Sequence, residues 1–188
     1  MSTPLSLEHR LVELCIERDR GWTRRCNGLG SWRGLRGYFA AVSRLGDGIA
    51  WYALMVVLIL TEGARGAYAA AHMAVTGFVS LLLYKGLKRW TRRPRPFAAD
   101  IRVRAWIAPL DEFSFPSGHT LHAVTFTLIA IAWFPALAWL LLPFAASVAL
   151  SRVVLGLHYP SDVLAASIIG TALASLSLWV VPGATLFH

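Results

Sequence analysis

From about residue 38 onward the chain alternates long apolar blocks with short, strongly polar breaks. The block GAYAAAHMAVTGFVSLLLY runs from Gly66 to Tyr84 without a formally charged residue. A run of that length, at about 1.5 Å per residue, comes close to a hydrocarbon core about 30 Å thick. From Phe113 to Ser151 there are 39 residues with no Asp, Glu, Lys or Arg, too many for one span and right for two, with a break at Pro135. The pattern therefore predicts spans over residues 43–61, 66–84, 119–134, 136–155 and 163–181, the last ending at Pro182 and Gly183. The first is the weakest, because Arg44 and Asp47 have to sit at its mouth. The expected fold class is all-α: an integral membrane bundle of about five to six transmembrane helices. Gly66, Ala70 and Ala74 in one span, and Ala166, Gly170 and Ala174 in another, have the spacing that permits close helix packing in lipid.

Ahead of these blocks the pattern changes. Within residues 5–20, Leu7, Leu11, Leu14 and Cys15 recur at helical spacing among charged residues, predicting an N-terminal amphipathic helix lying on the membrane surface. Residues 21–37 are rich in Gly, Arg and Trp, which suggests an interfacial linker of little regular structure with Trp22 and Trp32 at headgroup depth. The expected organisation is an interfacial segment over 1–37 and a transmembrane domain over 38–188. The N-terminus lacks the uninterrupted apolar core of a signal peptide, so insertion is expected to rest on the internal spans.

Composition agrees with a membrane protein: 56% of residues are hydrophobic, with a mean hydropathy of +0.56. The net charge of +8 would also suit a nucleic-acid binder. The basic residues, however, lie between blocks long enough for lipid, so anionic headgroups or phosphorylated lipids are the expected acidic partners and no nucleic acid is. Cys15 and Cys26 match no common zinc spacing and read as free thiols.

With the spans alternating in direction, the end of the second, the start of the third, the end of the fourth and the start of the fifth fall on one side. The unusual polar residues occur there, in KRWTRRPRP at 88–96, FPSGHT at 115–120 and SRVVLGLHYPSD at 151–162. Each break has an ordinary reading alone. Basic residues after a span anchor it at the headgroups, Pro-Ser-Gly is a turn entering a helix, and His158 with Asp162 is a local pair or part of a metal site. Together on one face they point to phosphate chemistry. Lys88, Arg95 and Arg152 supply positive charge, and arginine's planar fork matches phosphoryl oxygens. The Ser117 hydroxyl and Gly118 amide at a helix N-terminus are donors suited to an anion. Asp162 can hold one His158 ring nitrogen as N–H, leaving the other free to attack phosphorus; His119, with no carboxylate at helical spacing, takes the acid role.

The three breaks resemble the membrane branch of the type 2 phosphatidic acid phosphatase (PAP2) superfamily. Its motifs are met with every spacing kept: Lys88 then Arg95-Pro96 after six residues, Pro116-Ser117-Gly118-His119, and Ser151-Arg152 with His158 after five more and Asp162 after another three. The resemblance implies a helical bundle and a phosphatase without metal or cofactor, acting through a phosphohistidine. It makes His158 the nucleophile, Asp162 its orienter and His119 the acid, with Lys88, Arg95, Ser117, Gly118 and Arg152 on the phosphoryl oxygens. Arg92 and Arg93 fall outside the motif positions and are expected to attract substrate or anchor the protein. His72 is expected to pack, His122 is a lesser candidate for the site mouth, and Glu62 and Arg65 look like boundary charges. Asp47 and Trp51 lie near the active face with no chemical role demanded of them.

Short loops leave the site at the bilayer surface, where a lipid phosphate or diphosphate is the natural substrate. Undecaprenyl diphosphate, phosphatidic acid and phosphatidylglycerophosphate share the group that the motifs bind. The rival expectations are a lipid phosphotransferase using the same histidine and a noncatalytic lipid-binding protein. The expected location is a bacterial inner membrane. Seventeen of the eighteen Lys and Arg lie on the active face or in the N-terminal segment attached to it, which alone places that face in the cytoplasm. The resemblance leans instead to the periplasm, and catalytic cations confound the count.

Overall fold

The computed structural model describes residues 7–181, with side chains from Leu14 onward. Every regular element among the described residues is helical: α1 (Leu7–Leu29), α2 (Arg33–Arg44), α3 (Ala50–Thr91), the short α4 (Pro96–Ala99), α5 (Gly118–Trp133), α6 (Ala138–Val154) and α7 (Pro160–Val180). The long α3 is not one rod. Gly63 has φ 58° and ψ −127°, a conformation that side chains disfavour. A Cβ on Gly66 would fall 1.8 Å from the Leu58 carbonyl oxygen. In a straight helix those two positions are about 12 Å apart. The chain therefore doubles back at Gly63, and α3 is a hairpin of two passes, residues 50–62 and 64–91.

With α5, α6 and α7 the described residues make five passes, and the all-α membrane bundle expected from the apolar blocks is what forms. Large apolar residues such as Leu60, Val75, Trp139, Leu164 and Trp179 face outward, as lipid-facing side chains do. Inside, Trp51, Met73, Ile129, Trp133 and Val148 form the core among the two passes of α3, α5 and α6. Trp51 lies 5.4 Å from both Phe126 and Phe144. His72 is a packing residue, as expected: its Nδ1 accepts from Trp133 Nε1 at 3.2 Å. The small-residue positions behave as predicted at Gly66, Ala70, Ala166, Gly170 and Ala174, all buried, whereas Ala74 is exposed to a cavity. Arg65 does more than mark a boundary. It donates to the Trp133 carbonyl at 2.6 Å and covers the Phe134 ring, closing the C-terminus of α5.

The clearest departure from the sequence pattern is at residues 21–37, where little regular structure was expected. They are helical except for the turn at residues 30–32. Apart from its glycines this stretch is made of residues that helices tolerate, and Thr23 and Asn27 gain burial and partners by being held in one. The buried side of α1 is thus polar, while Leu14, Trp22 and Leu29 point outward. The expected placement of Leu7 and Leu11 concerns side chains outside the described residues, as do Pro182 and Gly183. Between α2 and α3, residues Leu45–Ile49 form a π-helical bulge with Gly48 at φ 138°, a device that re-aims side chains within an otherwise continuous helix.

The hairpin generates a test. Gly66→Ala should lower the melting temperature in detergent, by about 1–3 kcal/mol of stability, because the Leu58 backbone cannot yield as a side chain would. Gly86→Ala, where a Cβ meets nothing within 4 Å, should not lower it.

Candidate active site

The three polar breaks meet at one end of the bundle. Lys88 is in the last turn of α3, Arg95 caps the N-terminus of α4, His119 is in the first turn of α5, Arg152 is in the last turn of α6 and Asp162 is in the first turn of α7. Local chemistry explains the placements. Pro96 and Pro160 start helices where a missing N–H costs nothing. Ser117 is an N-cap, its Oγ accepting from Thr120 N at 3.4 Å. Gly156, at φ 76°, turns the chain so closely past Arg104 that a Cβ would lie 2.4 Å from its carbonyl oxygen.

That turn presents His158, which is 1% exposed. Its Nε2 lies 3.3 Å from Arg95 Nη1, and its Nδ1 lies 3.6 Å from Asp162 Oδ2. Burial, then the positive charges of Arg152, Arg95 and Lys88, push its pKa well below the ordinary histidine value. The ring is therefore neutral at pH 7. With Asp162 facing Nδ1 and an arginine donor facing Nε2, the proton belongs on Nδ1 and the lone pair on Nε2.

The cations around that lone pair are buried as well. Lys88 Nζ donates to both Asp111 carboxylate oxygens, at 2.6 and 2.7 Å, and to the Phe113 carbonyl at 2.9 Å. Arg95 donates from Nη2 to Asp111 Oδ1 at 2.7 Å, from Nε to the Asp111 carbonyl at 2.9 Å and from Nη1 to the Leu157 carbonyl at 2.7 Å. Arg152 Nη1 donates to the Ser43 hydroxyl. Burial works to raise the Asp111 pKa, but Lys88 and Arg95 outweigh it and the net shift is downward, so Asp111 is an anion. Its carboxylate presents two oxygens to the cations that a phosphoryl group would meet.

His119 has a partner that sequence spacing did not reveal. Its Nε2 contacts Asp47 Oδ1, brought from the π-helical bulge. The available signal was a charged residue at the mouth of an apolar span. Arg93 also departs from expectation. It does not line the cavity but pairs with Asp162 and Asp19, each at 2.7 Å. Ser117 points its hydroxyl to Thr120, at 2.9 Å from that hydroxyl, and Gly118 rather than Ser117 lines the cavity. His122 does line it, with Nε2 3.1 Å from the Gly77 carbonyl and its ring stacked on Phe126.

These groups surround a cavity of about 530 Å³. Its lining combines Lys88, Arg95, Arg152, His119 and His158, with Asp47 and Asp111 among them, and the apolar Trp51, Met55, Ala74, Phe78, Leu81 and Phe126. Such a cavity can take a molecule that is anionic at one end and apolar at the other.

The chain is similar over 134 residues, at 28% identity, to the bacitracin transport permease protein BcrC of Bacillus licheniformis, covering 71% of this chain and 66% of that one. Over 77 residues it is 36% identical to phosphatidylglycerophosphatase B of Escherichia coli K12, covering 36% of this chain and 29% of that one. It thus spans less than two thirds of either relative's length. The crystal structure of a transmembrane PAP2-type phosphatidylglycerolphosphate phosphatase from Bacillus subtilis superposes with a TM-score of 0.68 at 26% identity, over 87% of this chain and 84% of that one. The family model described as the PAP2 superfamily matches residues 65–186, which include every motif residue from Lys88 to Asp162, and the chain belongs to that superfamily.

Proposed function

We propose that this protein is an integral membrane lipid phosphatase that removes the terminal phosphate of a lipid phosphate or diphosphate through a phosphohistidine. The observation that carries this reading is the cavity itself, whose lining joins buried cations and a neutral buried histidine to large apolar side chains. A soluble phosphate ester has no use for that apolar lining. A lipid does, since its headgroup meets Lys88, Arg95 and Arg152 while its first carbons lie along Trp51, Met55 and Phe78. The names of the relatives in E. coli and B. subtilis, both phosphatases of a lipid phosphate, support the same class. A permease role, as the B. licheniformis name has it, leaves the His158 and Asp162 pair without a task.

The chemistry closes without a metal or cofactor. His158 Nε2 attacks phosphorus, the bond from phosphorus to the lipid oxygen breaks, and His119 gives that oxygen a proton. Asp162 holds the Nδ1 proton and balances the charge that grows on the His158 ring. Water, losing a proton to His119, then attacks the phosphohistidine; the N–P bond breaks and inorganic phosphate leaves. Lys88, Arg95, Arg152 and the first-turn amide of Gly118 hold the phosphoryl oxygens throughout. Ser117 is buried and does not line the cavity, so its hydroxyl reaches an oxygen only if the side chain turns. Asp111 must yield its place to the arriving phosphate.

Purified protein should release inorganic phosphate from at least one of undecaprenyl diphosphate, phosphatidic acid and phosphatidylglycerophosphate, and should keep that activity in excess chelator. No release from any lipid phosphate, or strict dependence on a divalent ion, would overturn the reading; appearance of a second phosphorylated lipid would make it a transferase.

His158→Ala should abolish the phosphoenzyme. His119→Ala should slow lipid substrates about 10²–10⁴-fold but activated aryl phosphates much less, since a good leaving group needs no proton. Equal losses for both substrates would remove His119 from the acid role. Asp111→Asn should lower KM about tenfold, because a charge-assisted contact that competes with substrate is weakened; an unchanged or raised KM would show that the carboxylate does not compete.

A further inference from the structure

Arg93 is one of the basic residues that the phosphate-binding set leaves over, and its guanidinium bridges the turn that carries His158 and α1. Its guanidinium lies 4.1 Å from the Tyr159 ring, and Nη1 donates to Ser161 Oγ and to Asp162 Oδ1, both at 2.7 Å. The other carboxylate oxygen, Asp162 Oδ2, accepts from Tyr159 N at 2.8 Å. Both oxygens of a fully buried carboxylate are thereby pinned, and Oδ2 is left facing His158 Nδ1 at 3.6 Å. Arg93 is itself held from the far side. Nη2 donates to Asp19 Oδ2 at 2.7 Å, and Asp19 also accepts from Ser161 N at 3.0 Å and from Ser161 Oγ at 2.5 Å. Asp19, Arg93 and Ser161 form a closed ring of polar contacts, and Asp162 joins it through Arg93.

Asp19 belongs to α1, and two helical turns further along that helix Asn27 makes a second grip. Its Nδ2 donates to the Val154 carbonyl at 3.0 Å and to the Arg104 carbonyl at 2.9 Å, while its Oδ1 accepts from Arg104 N at 2.9 Å. Val154 lies just before the His158 turn and Ser161 just after it, so α1 holds the turn at both ends. A cation serving only to attract substrate would face the cavity, and Arg93 does not line it. A helix serving only as a surface anchor would not turn a carboxylate inward onto a partly buried ion pair. Residues 1–64 also lie outside the stretch matched by the family model, so the motifs do not disclose this contribution.

We propose that α1 is a clamp on the nucleophile turn, in which Arg93, anchored by Asp19, is a positioning residue that sets the Asp162 carboxylate and through it the His158 ring. The inference rests on the phosphohistidine reading above. Small misplacements of a nucleophile are costly to rate while leaving the phosphate-binding cations in place, so the loss should appear in kcat and not in KM.

The test uses full-length protein in lipid nanodiscs, with phosphate release from phosphatidic acid and undecaprenyl diphosphate, and with orthovanadate binding as a readout that needs no lipid. Asp19→Asn should lower kcat about tenfold and Arg93→Gln about 100-fold, each with KM within about twofold of wild type. Arg93→Lys should recover part of the loss, and the Asp19→Asn, Arg93→Gln double variant should be no slower than Arg93→Gln alone, because both act through one contact. Orthovanadate affinity should fall in the same order. Wild-type kcat in Asp19→Asn and Arg93→Gln would overturn the inference, as would a raised KM at unchanged kcat, which makes Arg93 a substrate-attracting cation. Should Arg93→Gln fail to fold, the near-isosteric Asp19→Asn decides alone. A wild-type protein that neither releases phosphate nor binds orthovanadate removes the phosphohistidine reading and this inference together. An active wild type with unaffected variants removes only the inference.

Discussion

Lys88, Arg95 and Arg152 are 6%, 2% and 2% exposed, and three positive charges cannot be withdrawn from water side by side unless something meets them. Much of the architecture at this end of the bundle follows from that requirement. Asp111 is drawn in from a loop to face two of the three, Ser43 is brought by the end of α2 to the third, and Asp47 is added from the bulge that follows. The passes themselves carry almost no charge, so these groups can gather only where helices end. The five passes alternate, and the ends that bear them therefore have to be the same end.

The same charges that are costly to bury are useful to a phosphate. They are fixed before any substrate arrives, in a site from which bulk water is largely excluded, which is the arrangement that makes electrostatic stabilisation effective. Burial first, and then these charges, keep His158 neutral, since a buried imidazolium among three cations is doubly disfavoured. On the proposed reading, Trp51, Met55 and Phe78 from the two passes of the α3 hairpin would favour a lipid phosphate, because they line the cavity where a soluble ester would want water.

Where expectation and structure part, the reason is contact between segments distant in the chain. Ala74 has the spacing of a helix-packing residue, yet it faces the cavity because the α3 hairpin turns Met73 and Gly77 inward instead. Residues 21–37 look like linker by composition, but Asn27 finds partners at Arg104 and Val154 that local propensity cannot foresee. Arg93 is indistinguishable from Arg92 by position, yet one pairs with two carboxylates while the other reaches only the Arg89 carbonyl. His119 lacks a carboxylate along its own helix and acquires one 72 residues away.

The membrane bundle and the superfamily motifs are legible in the amino-acid order alone. Apolar block length dictates membrane passes because the hydrocarbon thickness is constant, and three motifs with rigid spacing name Lys88, Arg95, Ser117, Gly118, His119, Arg152, His158 and Asp162 because each spacing is a helix end or a turn. What stands behind those residues comes from packing alone: Asp111 on the cations, Asp47 on His119, and Asp19 with Arg93 behind Asp162. Such partners obey no periodicity. A carboxylate is recruited wherever a buried charge needs one, from whichever segment the fold happens to bring within about 3 Å, and that distance is a property of packing that no local pattern encodes.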